Sequence, residues 1–338
     1  MTLVDFKNIL MPAIEAQMHM VVDQALSEEK VELRKMITYH LGWEGQNAGP
    51  ESQGKRIRPL LVLLSTCALN GSWQSALPAA AAIELVHNFS LIHDDIQDKS
   101  ELRHNRPTIW VKWGIPQAIN AGDTMYTLAQ LAMLETARLI SPTIALKAST
   151  LLNQACISLT YGQFLDLSYE DRLKLSLDDY WPMIEGKTAA LMATCTELGA
   201  LIANAPPNTV RALHDFGLQL GLAFQAQDDL LGIWGKESHT GKSNESDLVS
   251  GKKTLPILYA IGQKGAFSNR WAQGPISLQE VARMEALLSS EGAYDYTKTT
   301  VDRLTRSALA ALDIAYPQKN DGGQALVELT HELLNRQS

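Results

Sequence analysis

Apolar residues recur at three- and four-residue spacing along almost the whole of this 338-residue chain, and no stretch alternates apolar with polar. That periodicity admits helices and leaves no segment for a sheet. Phe6, Ile9, Leu10, Ile14, Met18 and Val21 mark the first apolar face, so Thr2 to Trp43 reads as two helices meeting near Ser27. Gly45, Gly49, Pro50 and Gly54 make a loop, after which Arg58 to Leu69 is apolar all round, the pattern of a buried helix. Ser75 to about Lys99 reads as helix with Pro78 tolerated in its first turn, and Arg103 to Pro107 as a turn-rich basic connection. Further helices are expected over about 116–138, 142–167, 178–204, 207–234, 253–264, 278–290, 292–314 and 323–336. Breaks fall at Pro142, at Pro206 and Pro207, in the Gly235–Gly251 loop, and at Gly274 and Pro275. The expected fold is all-α, a large orthogonal or antiparallel bundle of about ten to twelve helices without a strand. No linker-like stretch divides it, so residues 1–338 read as a single domain.

Charge and cysteine content exclude several classes of function. Lys and Arg number 29 against 37 Asp and Glu, a formal charge of -8, so nucleic acid is not an expected partner. Any basic site has to be local. Cys67, Cys156 and Cys195 lie far apart without paired spacing, which argues against a disulfide framework or a cysteine zinc site and for a reducing, cytoplasmic setting. The N-terminal MTLVDFKNILMP lacks a basic-then-apolar signal. No run approaches the ~18 apolar residues of a membrane span, so stable membrane insertion is not expected.

Two acidic strings carry the chemistry. In HNFSLIHDDIQD, His87 to Asp98, a helical count of about 100° per residue gathers Asp94, Asp95, Asp98 and His87 on one side. Such like charges repel unless a cation neutralises them, and carboxylate oxygens are what Mg²⁺ takes. A solvated helix end with incidental acids is the plain alternative. In GLQLGLAFQAQDDLLGIWG, Gly217 to Gly235, the acids Asp228 and Asp229 top a face that also holds Gly217, Gly221 and Gln225. Interior glycine costs a helix about 1 kcal/mol, so something must approach that face. Close helix packing is one reason; with the acids above, an open cavity is the favoured one. Two acid pairs on apolar helices can face each other across a bundle and hold metal ions whose free positions take phosphate oxygens. Cations grouped near them, Lys55, Arg56, Arg58, Arg103, Lys187, Lys242, Lys252 and Lys253, suit a diphosphate.

These residues resemble those of the trans-prenyltransferases, the isoprenyl diphosphate synthases of the all-helical isoprenoid synthase fold. The likeness runs in order through GKRIRP (54–59), LVHNFSLIHDDIQD (85–98), LRHNRPT (102–108), NAGD (120–123), YGQFLDL (161–167), MIEGKTAAL (183–191), GLAFQAQDDLLG (221–232) and GKSNESDLVSGKKTLP (241–256). The resemblance implies a helical bundle with a central cavity. It also implies a Mg²⁺-dependent head-to-tail condensation of isopentenyl diphosphate with an allylic diphosphate, and about two or three Mg²⁺ ions per active site. Asp94, Asp95 and Asp98 would bind the metal that grips the allylic diphosphate, completed by Asp228 with Asp229 nearby. Arg103, Lys187 and Lys252 would be cationic partners of that diphosphate, Lys242 would be a further substrate-binding residue, and Lys55, Arg58 and His87 would bind isopentenyl diphosphate beside His104. Thr188, Gln163 and Gln225 would line the reaction centre and Phe224 would abut the homoallylic chain. The allylic bond would ionise in a dry pocket, isopentenyl diphosphate would attack the cation, and the released diphosphate would take the proton. Family members pair, so a homodimer is implied.

Two positions depart from the family's pattern. Gly232 stands where the fuller second motif has a third acid, and His104 where a second arginine usually follows Arg103; Arg106 is the candidate substitute. By the same resemblance, in which an aromatic residue five before the first motif closes the cavity, Phe89, five before Asp94, with small Ser90 after it, implies geranylgeranyl diphosphate as product and farnesyl diphosphate as the alternative. Other classes remain. A non-catalytic regulatory subunit would accommodate Gly232 and His104. A terpene cyclase would need a different second motif, which Asn244, Glu245 and Ser246 do not provide, and a phosphohydrolase built on His93 and Asp94 leaves the second acid pair without a role. Tyr294, Tyr296 and the last helix read as packing.

Overall fold

Helix α1 (Leu3–Ala25) starts at Thr2, whose hydroxyl accepts from Asp5 N while Asp5 Oδ2 accepts from Thr2 N, a reciprocal cap that satisfies two orphan donors. The computed structural model describes residues 1–26, 28–170, 172, 174–235, 247–316 and 320–335. After α1 come α2 (Val31–His40), α3 (Pro50–Gln53), α4 (Ile57–Ala68) and α5 (Trp73–Gln97). A two-residue hairpin, β1 (Leu102–Arg103) and β2 (Arg106–Pro107), precedes α6 (Ile109–Trp113), α7 (Ile115–Glu135) and α8 (Pro142–Glu170). Then follow α9 (Leu177–Ile184), α10 (Ala190–Ile202), α11 (Pro207–Trp234), α12 (Asp247–Ser250), α13 (Leu255–Gln263) and α14 (Ala266–Trp271). The last are α15 (Val281–Ser290), α16 (Ala293–Ala315) and α17 (Asp321–Leu334).

The chain divides into two compact units, each made of three stretches. The first comprises Met1–Asn153, Cys195–Val210 and Gln318–Leu326. Its centre is α5, which packs along α7 and against α4 and α1. Ala79 to Ala82 are fully buried, and their small side chains let neighbouring helices approach. The long apolar helix expected at Arg58 to Leu69 is α4, whose residues Leu60 to Leu64 are all buried. One hydrophilic knot interrupts this core. Arg56, in the left-handed region at φ +46°, turns its guanidinium inward to Glu15 of α1 and Glu84 of α5.

The second unit comprises Gln154–Thr194, Arg211–Pro317 and Val327–Ser338. Its satellite core gathers Ile233, Leu248, Ile257, Phe267, Met284 and Leu288. Tyr296 stacks on Tyr259 at 4.2 Å between ring centres and Tyr294 meets Trp234 edge-on at 5.2 Å, the packing roles expected of both tyrosines. Between α9 and α10 the backbone widens into a π turn over Glu185–Ala189, a local departure from the α-helix that recurs at functional sites.

Several expectations change. Arg103 to Pro107 forms strands as well as a turn, because His104 and Asn105, at φ +50° and +57°, supply the two left-handed residues of a tight hairpin. Pro78 sits inside α5 beyond its first turn. Helix α5 is long and apolar enough to cross a membrane by length and composition, contrary to the absence of such a run; 72% of its apolar window is buried inside the protein. The short α3, α6, α12 and α14 have no counterpart in the expected helices, because one or two turns leave no periodicity to read.

Candidate functional site

In the first unit the acids sit on the last turn of α5, where Asp98 is the C-cap and its N–H donates to Asp94 O at 2.8 Å. The three carboxylates have different surroundings. Asp94 is half-buried and Asp98 exposed, whereas Asp95 is only 2% exposed. Asp95 accepts a fork from Arg103, Nε to Oδ2 at 3.0 Å and Nη2 to Oδ1 at 2.7 Å. The hairpin makes this possible by folding β1 back over the helix end. Burial raises the Asp95 carboxyl above its ordinary value, while Arg103 works against that rise.

Around these acids lies a concentration of positive charge. Arg58 Nη1 lies 3.2 Å from His87 Nε2. Loss of solvent, followed by Arg58 and Arg103, pulls His87 well below its usual value, so the neutral ring accepts this hydrogen bond. The same causes, burial first and Arg103 next, lower His104 and take His40 down to about 3. His104 therefore contributes no charge near neutral pH. Arg106 does not substitute for it, because its guanidinium is buried and donates to Tyr39 O at 2.9 Å and Glu44 O at 2.6 Å. Lys55 is exposed beside buried Arg56. Phe89 touches His93 and Tyr126, with ring centres 5.1 and 5.3 Å away, and Ser90 Oγ donates to His87 O at 2.8 Å. Gly122 of the NAGD string lets α7 pass His93: a Cβ there would lie 2.2 Å from His93 Nε2.

In the second unit the predicted residues form a connected chain of hydrogen bonds. Thr188 Oγ1 donates to Gln225 Oε1 at 2.8 Å, and Gln225 Nε2 donates to Asp229 Oδ1 at 2.9 Å. Asp229 Oδ2 accepts from the Tyr180 hydroxyl at 2.7 Å and from Leu255 N at 2.9 Å. Burial pushes Asp229 up to about 6 against the pull of these donors. Lys187, on the π turn, pairs with Asp166. The turn is held by two glycines that sequence reasoning left without a role. A Cβ on Gly162 would meet Lys187 N at 2.1 Å and one on Gly186 would meet Ser158 O at 2.6 Å, so α8 and the turn touch backbone to backbone. Lys253 donates to Tyr169 O and Glu170 O at the end of α8, while Lys252 is exposed. Gln163 is buried, Phe224 and Asp228 are half-buried, and Lys242 and Asn244 to Ser246 lie outside the described residues.

The glycine face of α11 has a packing explanation. A Cβ on Gly221 would come 2.6 Å from Ala189 Cα and 2.9 Å from Ala189 Cβ, so the helix face favoured above as the wall of an open cavity is a close helix contact at this residue. Among the described residues no three His, Cys, Asp or Glu side chains converge to hold a metal by themselves.

Asp229 yields a pH prediction. Below the ordinary carboxylate value of 3.8 it is protonated folded or unfolded; between there and about 6 only the unfolded chain ionises. The contribution present at low pH is therefore lost as pH rises through about 6. Denaturation free energies measured at pH 4 and pH 7 should fall less in Asp229→Asn than in the natural chain. An equal fall in both proteins would mean that burial does not govern this carboxyl.

Comparison with known proteins agrees with this architecture. The polyprenyl synthetase family profile matches residues 47–286. A (2E,6E)-farnesyl diphosphate synthase of Mycobacterium bovis is 39% identical, covering 90% of this chain and 87% of its own. A geranylgeranyl diphosphate synthase of Mycobacterium tuberculosis is 37% identical over 91% of this chain and 89% of its own. Among solved structures, a polyprenyl synthetase of Streptomyces coelicolor superposes with a TM-score of 0.85 at 34% identity, covering 98% of both chains. A geranylgeranyl pyrophosphate synthetase of Pyrococcus horikoshii gives 0.88 at 29% identity, over 99% of this chain and 98% of its own. The chain belongs to the polyprenyl synthetase family and is a prenyltransferase with the all-α isoprenoid synthase fold.

Proposed function

We propose that this prenyltransferase joins isopentenyl diphosphate head to tail to an allylic diphosphate, giving a short-chain all-trans product, geranylgeranyl diphosphate. The observation that carries the reading is the end of α5, where half-buried Asp94 and exposed Asp98 stand beside Asp95 and the Arg103 fork within a field of arginines. Hard carboxylate oxygens suit Mg²⁺, which is held by one or two carboxylates with substrate phosphates completing the shell, so a three-acid cage is not required. Asp94, Asp98 and Asp228 are the assigned ligands, with Asp95 holding Arg103 in place and Asp229 holding Gln225 and Tyr180. When bound, the metal would neutralise the diphosphate as it departs.

The chain's own groups do the rest. Arg103, Lys187 and Lys252 face the allylic diphosphate with fixed charge. Lys55, Arg58 and neutral His87 take isopentenyl diphosphate, His87 orienting Arg58 through the 3.2 Å contact. Thr188 and Gln225, joined by a hydrogen bond, border the reacting carbons. Residues 1–338 act as one catalytic domain, in keeping with a chain whose two units each draw on three interleaved stretches. A homodimer is proposed on the exposed face of α8, where Ile157, Tyr161 and Phe164 are 69%, 57% and 61% accessible at one-turn spacing. The reading places the enzyme in the cytoplasm, a reducing setting that suits Cys67, Cys156 and Cys195, which lie far apart in the sequence.

The test is a product assay with purified protein, Mg²⁺, labelled isopentenyl diphosphate and dimethylallyl, geranyl or farnesyl diphosphate in turn. Elongation that needs both substrates supports the reading. Consumption of a single diphosphate would indicate a cyclase or hydrolase, and no turnover would favour a regulatory subunit. Farnesyl diphosphate as final product is the second reading, since relatives of similar identity carry both names. In the same assay Phe89→Ala should lengthen the product by at least one isoprene unit. Tyr126, whose ring abuts Phe89, then becomes the next obstacle, so Phe89→Ala with Tyr126→Ala should lengthen it further. An unchanged product spectrum removes Phe89 as the floor.

A further inference from the structure

Resting on that reading, we propose that Asp247 supplies the carboxylate that α11 lacks at Gly232, and that residue 232 is glycine so that this carboxylate can enter. Position 232 lies one helical turn beyond Asp228, on the same side of α11. An acid there would extend the Asp228 set. The chain has no side chain at that position, yet the space is filled: a Cβ built on Gly232 would lie 2.1 Å from Asp247 Oδ2 and 2.8 Å from its Cγ. No real Cβ tolerates such a contact, so the carboxylate occupies the volume that a residue-232 side chain would need.

This placement has a structural cause. Asp247 begins the short helix α12, and the next residue, Leu248, is fully buried in the cluster that also contains Ile233. Burying Leu248 beside Ile233 brings residue 247 against residue 232. The backbone adds a second restraint, because Lys252 N donates to Asp247 O at 3.2 Å. The carboxylate therefore reaches the position by a tertiary route, from the start of α12 instead of from the helix that bears Asp228. Asp247 would then stand beside Asp228 as a second carboxylate toward Mg²⁺ and diphosphate, orienting the groups around the metal. It also ties Lys252, five residues on, to the same acid through the backbone.

The experiment uses the whole protein with two readouts. One is the Mg²⁺ concentration giving half-maximal elongation; the other is the rise in melting temperature on adding MgCl₂ with inorganic diphosphate, which needs no turnover. Asp247→Asn and Asp247→Ala should each raise the Mg²⁺ requirement about 10-fold or more, the size seen when a group supporting a metal site is removed. Gly232→Ala should do the same, because its methyl displaces the Asp247 carboxylate. The decisive variant is Gly232→Asp combined with Asp247→Ala, which returns an acid to the same volume from α11 and should recover most of the natural Mg²⁺ response. Gly232→Ala with Asp247→Ala should be no worse than Asp247→Ala alone, since both remove one contact. Asp247→Asn keeps the shape of the side chain, so it separates a charge effect from a folding defect. A natural Mg²⁺ response in Asp247→Asn overturns the proposal, as does failure of the Gly232→Asp, Asp247→Ala pair to improve on Asp247→Ala. If the natural chain shows the diphosphate-dependent shift but does not elongate, the functional reading fails while the shift still decides the role of Asp247.

Discussion

Asp94→Ala should lower kcat/KM for two-substrate elongation about 10²–10³-fold, the loss that follows removal of one preorganised electrostatic contact, while leaving the melting temperature nearly unchanged. The split follows from where the acids of α5 stand. Asp94 is half-buried on the last turn of the helix and is not among the buried residues by which α5 packs, so its replacement leaves that packing in place. Asp95 is the opposite case, buried and forked to Arg103 through three contacts of 2.7 to 3.1 Å. Asp95→Ala strands a guanidinium and releases the hairpin, so it should reduce both activity and stability. Comparing the two variants by elongation rate and by urea denaturation distinguishes a metal ligand from a positioning residue. Wild-type elongation by Asp94→Ala would remove Asp94 from the metal set. Full stability in Asp95→Ala would mean that the fork to Arg103 holds nothing in place.

The difference between adjacent aspartates marks how far the sequence could be read. Helical periodicity and the order of motifs exposed the long elements, because each buries one face over several turns and the spacing of Phe6, Leu10 and Ile14 or of Leu60 to Leu64 reports that burial directly. What periodicity does not carry is the partner. Gly221 and Gly122 both announce a close approach, yet only the folded chain shows that one admits the backbone of Ala189 and the other the ring of His93. The arginines make the same point in charge. Arg56, Arg58, Arg103 and Arg106 look alike as basic residues around an acidic motif, but Arg56 and Arg106 are consumed internally while Arg58 and Arg103 stand with His87 and Asp95. Position on the hairpin or helix start decides this, and a helical wheel has no place for either. Likewise the glycines of YGQF and EGK were legible as a pattern and not as the contact that shapes the π turn beneath Lys187.

Arg56→Ala should cost about 3–5 kcal/mol, the penalty for removing one partner of a buried ion pair, out of a total that rarely exceeds ~15 kcal/mol. The side chain is 1% exposed and joins three elements at once. Its Nε donates to Glu15 Oε1 at 2.6 Å, its Nη1 to Glu84 Oε1 at 2.8 Å, and its Nη2 to Leu41 O at 3.4 Å. Burial opposes its charge, and Glu84 and Glu15 more than offset that, holding the guanidinium above its usual value. Without it, among the described residues Glu84 keeps its hydrogen bond from Asn88 and Glu15 its hydrogen bond from Trp43, and both carboxylates lose the counter-charge Arg56 gave them. Arg56→Lys retains the charge but presents one point where the fork presents three donors, so it should recover part of the loss. Arg56→Met with Glu84→Gln removes the more deeply buried pair and should recover more than Arg56→Met alone, because Glu84 is then no longer a buried ion without a counter-charge and the remaining acid, Glu15, is partly exposed. Urea denaturation of the four proteins tests this, and a loss below about 1 kcal/mol in Arg56→Ala would place the pair with surface ion pairs. The same cut reaches function. Lys55 and Arg58 flank Arg56 at the start of α4, so when the knot to α1 and α5 is released, these two of the three residues assigned to isopentenyl diphosphate lose their fixed spacing. Arg56→Lys, which remains folded, should accordingly raise KM for isopentenyl diphosphate more than KM for the allylic substrate.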